Sequence, residues 1–352
     1  MKQRLFLLAC ALSISAISIC SCFQKQLILP QNLRFELSAE EAPSIHYTDA
    51  SIFGTVSFSG STEGYVQNIE QSTSVKVQWG TDKNNLPNTC FAVLNDATER
   101  YSILVIPFKA DLKGLEDGAV YYYQVFAKCG NLELKQTDVL KFFTLPEGPV
   151  NLDLKSGNLW HSHNLRAQFP DESGDYISWG ELEPKKANAQ YDWSNYKWCN
   201  GDSRKMTKYC TNEYYGYNGF VDNLTRLEDE DDAAIMKLGN GWHMPTSMDW
   251  IELNEQCGWT KGSYNGVSGW FIRSKANPDD NKKVIFVPLS GYYNRTNKND
   301  DNYQGCYWTS EWDGSLFTGE YANYFSLHNY DSHVISQGSR CCGLSIRPVR
   351  SK

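Results

Sequence analysis

The sequence predicts an exported protein of two domains, an all-β sandwich followed by a loop-rich domain of different composition. The chain begins with a short apolar leader. Residues 33–145 contain short segments in which apolar and polar residues alternate, a pattern typical of strands that are buried on one face. After "TLPEGPV" the chain becomes rich in Trp, Tyr, Gly and Asn and shows only one clearly helical segment. The composition thus changes at residues 146–150, which we interpret as the linker between domains.

The leader has the features of a cleavable export signal. Lys2 and Arg4 precede an apolar run too short to span a bilayer stably, and small residues follow. "ICSC" resembles a bacterial lipobox, which implies cleavage after residue 21 and acylation of Cys22. We therefore expect a signal peptide at 1–21, a tether at 22–32 and a lipoprotein of the outer membrane, exposed at the cell surface. The alternatives are an ordinary secreted protein and acylation at Cys20, which the bulky Ile19 disfavours.

The net charge and the cysteine content limit which partners and which covalent cross-links the mature chain can have. The formal net charge is −8, and removal of Lys2 and Arg4 with the leader lowers it to −10. This charge argues against nucleic-acid binding. Eight of the 11 cysteines remain after loss of the leader and acylation. An even number in an exported chain permits disulfides, but the sequence does not determine their pairing.

Five segments in residues 33–145 are the predicted strands of the sandwich: "SIFGTVSFSG", "SVKVQWG", "RYSILVIPF", "YYYQVFAKC" and "LKFFTL". The tyrosine-rich strand after "LKGLEDG" resembles the corresponding strand of fibronectin type III-like modules. That resemblance implies an immunoglobulin/fibronectin III-like sandwich with one of Tyr121 to Tyr123 in the corner-tyrosine role. Cys90 and Cys129 are interpreted either as a disulfide or as two separate buried thiols.

One helix is predicted in residues 151–352, from Ser247 to about Gln256. Thr246 is a suitable N-cap, and Asp249 lies three positions later, near the positive end of the helix.

Five ordered motifs carry a resemblance that covers residues 150–350: "GDYISWGELEP", "YDWSNYKWCNG", "LTRLEDEDDAA", "GNGWHMPTSMDW" and "GLSIRPVR". Together they resemble the Fibrobacter succinogenes major paralogous domain, which is common in lipoproteins of Bacteroidetes. The resemblance implies an α+β C-type lectin-like fold for residues 151–352. It also implies that the first and last strands pair, which would place "NLDLKSGNLW" beside "LSIRPVR", with a loop-rich face opposite the helices.

Three other groups of residues have the chemistry of a site, and each has a plainer interpretation. His161 and His163 have a spacing that can bind a metal, but no partner ligand is visible nearby. The acidic run at residues 228–232 offers oxygen ligands for calcium, or charges for a helix N-terminus. Cys341 and Cys342 lie where the related formylglycine-generating enzymes bind copper, but adjacent residues of an extended chain point to opposite faces. We predict no enzymatic activity and no metal site, with calcium as the one cofactor left open.

The final segment is rich in residue types suited to contact surfaces. Tyr and Trp supply large rigid area, and Asn, Ser and Asp adapt their hydrogen bonds. We expect this face to bind an extracellular glycan or protein, in adhesion or ligand recognition. The predicted contact set, chosen from loop and strand-edge positions, is Asp313, Tyr321, Asn323, His328, Asn329, Tyr330, Asp331, His333 and Arg340.

Residues 321–350 also suggest that this segment is diversified. Similar domains are targets of diversity-generating retroelements, whose adenine-directed changes in AAC codons never yield Lys, Glu, Gln, Met or Trp. Gln337 is the only such residue in this range. The alternative functions are a structural lipoprotein of the cell envelope without a specific ligand and, less favoured, an oxidase like the formylglycine-generating enzymes.

Overall fold

The computed structural model describes residues 33–40, 44–60, 64–239, 241–312, 319–330 and 333–352. The expected signal peptide and the whole of the expected tether, including Cys22, lie outside these ranges. Within them, most of the regular structure is antiparallel strand. No described helix is long and apolar enough to cross a membrane.

The N-terminal part, residues 33–145, forms two antiparallel sheets. Its elements in chain order are β1 (Arg34–Ala39), β2 (Ser44–Ile45), β3 (Asp49–Ser59), α1 (Val66–Ser72), β4 (Thr73–Gly80), β5 (Asn88–Phe91), β6 (Val93–Leu94), β7 (Thr98–Arg100), β8 (Ile103–Lys113), β9 (Val120–Cys129), β10 (Leu132–Lys135) and β11 (Leu140–Phe143). One sheet has the order β1-β3-β8-β6, with β2 on β3 and β7 on β8. The other has the order β10-β9-β4-β5, with β11 on β9.

Strict alternation of burial explains why these two sheets pack face to face. Along β3, every second side chain is buried, and Val56 and Phe58 face the same core as Ile106 of β8. Val77 of β4 and Val125 of β9 enter this core from the other sheet. Each buried aliphatic side chain of this kind contributes about 1.5 to 3 kcal/mol relative to exposure.

Two sequence hypotheses about this part have clear outcomes. Of the three consecutive tyrosines, Tyr121 makes the corner contact, since its hydroxyl accepts a hydrogen bond of 2.7 Å from the backbone N–H of Glu116. Cys90 and Cys129 lie on strands that flank β4 on opposite sides. They are free thiols, as are the other six cysteines among the described residues.

The C-terminal part, residues 149–352, contains several small sheets joined by long irregular segments. Its elements are β12 (Pro149–Asn151), β13 (Leu159–His161), α2 (Ala233–Leu238), β14 (Trp242–His243), α3 (Ser247–Gln256), β15 (Cys257–Tyr264), β16 (Val267–Ser274), β17 (Val284–Pro288), β18 (Tyr292–Asn294), β19 (Asn297–Asn299), β20 (Gln304–Trp308), β21 (Tyr321–His328), β22 (His333–Ser339) and β23 (Val349–Arg350). Two short 3-10 helices lie at Tyr217–Gly219 and Asp229–Asp231. The sheets have the orders β12-β13-β23-β14, β15-β16-β17, β18-β19 and β20-β21-β22.

The predicted fold class is therefore wrong, because the C-terminal part is not an α+β C-type lectin-like domain. Its described helices α2 and α3 are short, and several antiparallel sheets form most of its regular structure. The Trp- and Tyr-rich segments form strands and irregular loops, and their side chains bond to the backbone. The indole N–H of Trp179 donates to the carbonyl of Thr309, and that of Trp308 donates to the carbonyl of Ile177.

Two local predictions in this part are confirmed. Helix α3 has the predicted bounds, and Thr246 and Asp249 form a reciprocal capping box at its start. The ends of the C-terminal part are paired as expected, with Leu159 of β13 opposite Arg350 of β23.

The core of the C-terminal part combines rings with buried charge. Trp250 stacks on Phe325 with a centroid distance of 4.4 Å. Arg340 and Arg347 have no exposed surface. Since a buried charge is tolerated only when hydrogen-bonded, these side chains determine the path of the loops around them.

Candidate functional site

The sheet β20-β21-β22 brings together four of the nine predicted contact residues at one end: His328, Asn329, Tyr330 and His333. His328 ends β21 and lies opposite Gln304 of β20, and Leu327 lies opposite His333 of β22. The turn after β21 is thus held beside the start of β20. A hydrogen bond of 2.9 Å from the backbone N–H of Asn329 to the carbonyl of Tyr303 connects the two segments.

We name Tyr303, His328 and Tyr330 the tyrosine patch, because the backbone hydrogen bond from Asn329 to Tyr303 brings their two segments to the same end of the sheet. Tyr303 is 71% exposed and Tyr330 is 69% exposed. The His328 ring stacks on Tyr330 with a centroid distance of 5.0 Å and an interplanar angle of 18°. The exposed rings of Tyr303 and Tyr330 offer contact area at a small entropic cost, because a tyrosine has only two rotatable side-chain angles.

Hydrogen bonds beneath the patch hold it in place. The indole N–H of Trp270 donates to the carbonyl of His328 over 3.0 Å. The His328 Nε2 lies 2.9 Å from the Ser326 hydroxyl, which also accepts a 2.7 Å bond from the Gln304 amide. The Asn329 side-chain oxygen has no hydrogen-bond partner among the described residues. The patch therefore combines exposed rings with an imidazole on a fixed backbone, and the unpartnered Asn329 oxygen is buried beneath it.

His333 lies beside this patch but is enclosed by rings. Its imidazole stacks on Trp259 and meets Trp270 edge-on, each at a centroid distance of 4.5 Å. It therefore acts as a support for the end of the sheet more than as a surface group.

The remaining predicted contact residues are dispersed. Tyr321, 40% exposed, begins β21, and about 24 Å of extended strand separates it from His328. Asn323 is half-buried and bonds to the Ser247 hydroxyl over 3.4 Å. Asp313 and Asp331 lie outside the described residues.

The prediction that Arg340 is a contact residue is wrong, because its side chain does not reach the surface. The guanidinium is fully buried, donates to the carbonyl of Tyr209 over 2.9 Å and lies 4.2 Å from the Trp312 ring centroid. Burial lowers its pKa to about 10. The Arg340 side chain connects the loop at Tyr209 to the start of β21 by hydrogen bonds and is not a contact residue.

The histidine pair has no metal ligand beyond itself in the described ranges. The His161 and His163 rings lie 4.2 Å apart, and the His161 Nδ1 accepts a 3.3 Å bond from the His163 N–H. Burial, followed by the charges of His163 and Arg347, lowers the pKa of His161 to about 3. Within the described residues, no three His, Cys, Asp or Glu side chains are arranged to hold a metal ion.

The acidic run is used inside the fold. Asp232 caps α2 by accepting bonds from the N–H groups of Ala234 and Ile235, and it also accepts a 2.8 Å bond from Met244. Asp231 is nearly fully buried and pairs with Lys208 over 2.6 Å. The helix-terminus interpretation therefore accounts for Asp232, whereas Asp231 is held by a lysine of a neighbouring loop.

Cys341 and Cys342 belong to different core clusters. Cys341 packs with Met206 and Cys210, whereas Cys342 packs with Cys306. A hydrogen bond between the two thiols lowers the pKa of Cys341, and together with burial it raises the pKa of Cys342.

Sequence reasoning missed Tyr303, which lies before the segment that we singled out. The signal was present in principle, because a hairpin that pairs "QGCYW" with "NYFSLH" places Tyr303 next to Asn329. It also missed Trp259 and Trp270, which support the patch from β15 and β16.

Comparisons with known proteins do not assign this site. No family model matches the chain, and no curated protein matches it. A sensor domain of the anti-sigma factor RsgI4 of Pseudobacteroides cellulosolvens is similar over 32% of this chain and 89% of its own length, with 16% identity and a TM-score of 0.20. An uncharacterized protein of Listeria monocytogenes EGD-e is similar over 36% of this chain and 11% of its own length, with 14% identity and a TM-score of 0.22. Neither likeness supports an argument about fold or function.

Proposed function

We propose that this chain is an exported binding protein that recognises an extracellular glycan through the tyrosine patch. The observation that carries the proposal is the exposure of Tyr303 and Tyr330 on a backbone held by hydrogen bonds. Large exposed rings are costly to leave in water and are typical of recognition surfaces.

The size of the patch favours a sugar over a protein partner. Two exposed rings with a few polar side chains form a much smaller surface than the roughly 20 to 30 residues per side of a stable protein interface. A sugar presents an apolar C–H face that packs on a tyrosine ring and hydroxyls that bond to amide and imidazole groups. The half-buried imidazole of His328 supplies such a group beside the Tyr330 ring.

The leader supports a location outside the cytoplasm. Its basic start, apolar run and lipobox-like end are the basis for proposing acylation at Cys22 and attachment to the outer membrane. The resemblance to lipoproteins of Bacteroidetes is part of the same proposal.

A glycan array probed with the mature chain tests the function. We expect a glycan to bind the wild type, and Tyr330→Ala or Tyr303→Ala to weaken that binding about tenfold or more, because each removes a stacking ring. Tyr101→Ala is the matched control, since Tyr101 is a 98% exposed tyrosine of the N-terminal part. It should leave binding unchanged.

Two results would contradict the proposal. One is an array without any bound glycan, which favours the structural envelope role. The other is a bound glycan whose affinity is the same in both patch variants as in the wild type. Thermal unfolding of each variant shows that the fold is intact, since surface substitutions usually change stability by less than about 0.5 kcal/mol.

We also propose that any diversification of the gene is confined to the patch end of β21. His328, Asn329 and Tyr330 lie at the surface turn, whereas Arg340 and Cys341 are buried. Sequencing the 3′ end of the gene across a population should then find adenine-directed changes at codons 328–330 and constant codons at 340–342. A uniform sequence would remove this part of the proposal and leave the glycan site untouched.

A further inference from the structure

A cleft of about 480 Å³ lies between the N-terminal and C-terminal parts, away from the tyrosine patch. Edge strand β11 forms one wall, and the hairpin of β15 and β16 forms the other. Its volume is within the range of small-molecule sites. The side chains that line it include Lys141, Phe143, Tyr264, Asn265, Arg273 and Asn281.

Bonds across the boundary between the two parts fix the shape of the cleft. The Asn265 side chain bonds to both the N–H and the carbonyl of Ile45, each over 2.7 Å. The rings of His46 and Phe169 stack at a centroid distance of 4.0 Å. Phe143 packs against Phe271 at 5.4 Å. The cleft is thus preformed, which lowers the entropic cost of binding.

The charge of the cleft is opposite to that of the whole chain. Its lining carries two cations, Lys141 and Arg273, and no carboxylate among the described residues. Neither cation forms an ion pair in the described part of the chain, although the formal net charge is −8. A low-dielectric wall with unpaired cations attracts small anions.

Arg273 is oriented for such a contact. Its guanidinium lies 5.5 Å from the Phe143 ring centroid and donates one hydrogen bond, of 3.2 Å, to the Asn281 side-chain oxygen. Burial lowers its pKa and the charge of Asp279 opposes this effect, but a guanidinium stays protonated at neutral pH. Its planar fork has further donors that suit a carboxylate or sulfate.

Tyr264 contributes a buried ring to the apolar wall. Its side chain is 3% exposed. Burial raises the pKa of Tyr264, and a hydrogen bond from the Leu145 backbone acts in the opposite direction. The ring therefore closes the apolar side of the cleft, which the two cations also line.

We infer that this cleft binds a small organic acid whose carboxylate meets Arg273 and Lys141 and whose ring packs on Phe143. The shared chemistry is a carboxylate on a ring, which an aromatic acid or an acidic sugar can supply. This site is separate from the tyrosine patch and does not depend on the proposed function.

Calorimetric titration of the mature chain with four probes tests the inference: 4-hydroxybenzoate, D-glucuronate, and the neutral 4-hydroxybenzamide and D-glucose. We expect one of the acids to bind and its neutral counterpart to bind about tenfold more weakly or not at all. Arg273→Gln should weaken the acid about ten- to a hundredfold, because a charged hydrogen bond is lost. Arg273→Lys should have an intermediate effect, since it keeps the charge without the fork.

Lys155→Gln is the matched control, because Lys155 is an exposed lysine of the C-terminal part outside the cleft. It should leave the affinity unchanged. Lys141→Gln, at an exposed position on β11, covers the case in which Arg273→Gln fails to fold, and it should weaken the acid several-fold. The inference is overturned if neither acid binds the wild type, if the neutral probes bind equally well, or if Lys155→Gln weakens binding as much as the cleft variants.

Discussion

The N-terminal and C-terminal parts of this chain are stabilised by different means. In the N-terminal part, aliphatic side chains from two regular sheets alternate into one core, as Val56, Val77 and Val125 do. In the C-terminal part, buried polar side chains bond to the backbone of irregular loops, as Arg340 does to Tyr209 and Arg347 to Ser162. Burial of apolar area can thus specify regular strands, whereas irregular loops need specific hydrogen bonds to be held.

Arg347 is the sharpest case of the second kind. Its fully buried guanidinium donates to the Asn164 side chain and to the carbonyls of His161, Ser162 and Phe286, over 2.8 to 3.2 Å. Burial lowers its pKa to about 10, so it remains charged at neutral pH.

We expect Arg347→Met to have the largest effect, a loss of about 4 kcal/mol in the free energy of unfolding, because several buried acceptors lose their donor. Tryptophan fluorescence during urea unfolding reports on this region, since ten of the 11 tryptophans lie in the C-terminal part. Arg100→Met, at an exposed position in the N-terminal part, is the control and should cost less than about 0.5 kcal/mol. A similar small loss for Arg347→Met would remove the proposed difference between the two parts.

His161 extends the comparison to pH. Its pKa is about 3 in the folded chain because of burial, against about 6.5 when unfolded. The folded state therefore binds fewer protons, so stability is fully present above about pH 6.5 and is lost as the pH falls toward 3.

We expect the wild type to lose about 2 kcal/mol more stability than His161→Gln between pH 7 and pH 4.5. Glutamine keeps an acceptor for the His163 N–H but does not titrate. Urea unfolding at the two pH values measures the difference. Parallel losses in the two proteins would show that His161 is not held neutral by the fold.

Prediction from sequence succeeded where local pattern determines structure. Period-two alternation located β3, β4, β8, β9 and β11, and the Thr246 and Asp249 pair located the start of α3. In these cases, the interacting residues are near in sequence or repeat regularly.

Prediction failed where distant segments meet. The acceptors that bind Arg347 are the carbonyls of residues 161, 162 and 286 and the side chain of Asn164, and no local pattern indicates that meeting. The same limit applies to the tyrosine patch: "LHNY" identified His328 and Tyr330, but Tyr303 is added by the register of β20 against β21. Arg340 was assigned to the surface because residue type alone does not reveal a buried guanidinium.

Asn265 tests whether the two parts unfold together. Its side chain makes two hydrogen bonds to Ile45 across the boundary, each worth about 1 kcal/mol. We expect Asn265→Ala to lower the free energy of unfolding by about 2 kcal/mol and to separate the calorimetric transition into two. Asn84→Ala, on an exposed turn of the N-terminal part, is the control and should leave one transition. A single unchanged transition in Asn265→Ala would show that other contacts couple the two parts.

The smallest expected effect compares apolar packing in the two parts directly. Ile106 lies in the N-terminal core and Ile346 in the C-terminal core, and both are fully buried. Valine at either position removes one methylene, which costs about 1 kcal/mol in a closely packed core. We expect equal losses from Ile106→Val and Ile346→Val in urea unfolding, because close packing is common to both parts and only the polar bonding differs. A loss at Ile346 well below that at Ile106 would mean that the C-terminal core is loosely packed, and buried hydrogen bonds would then carry even more of its stability.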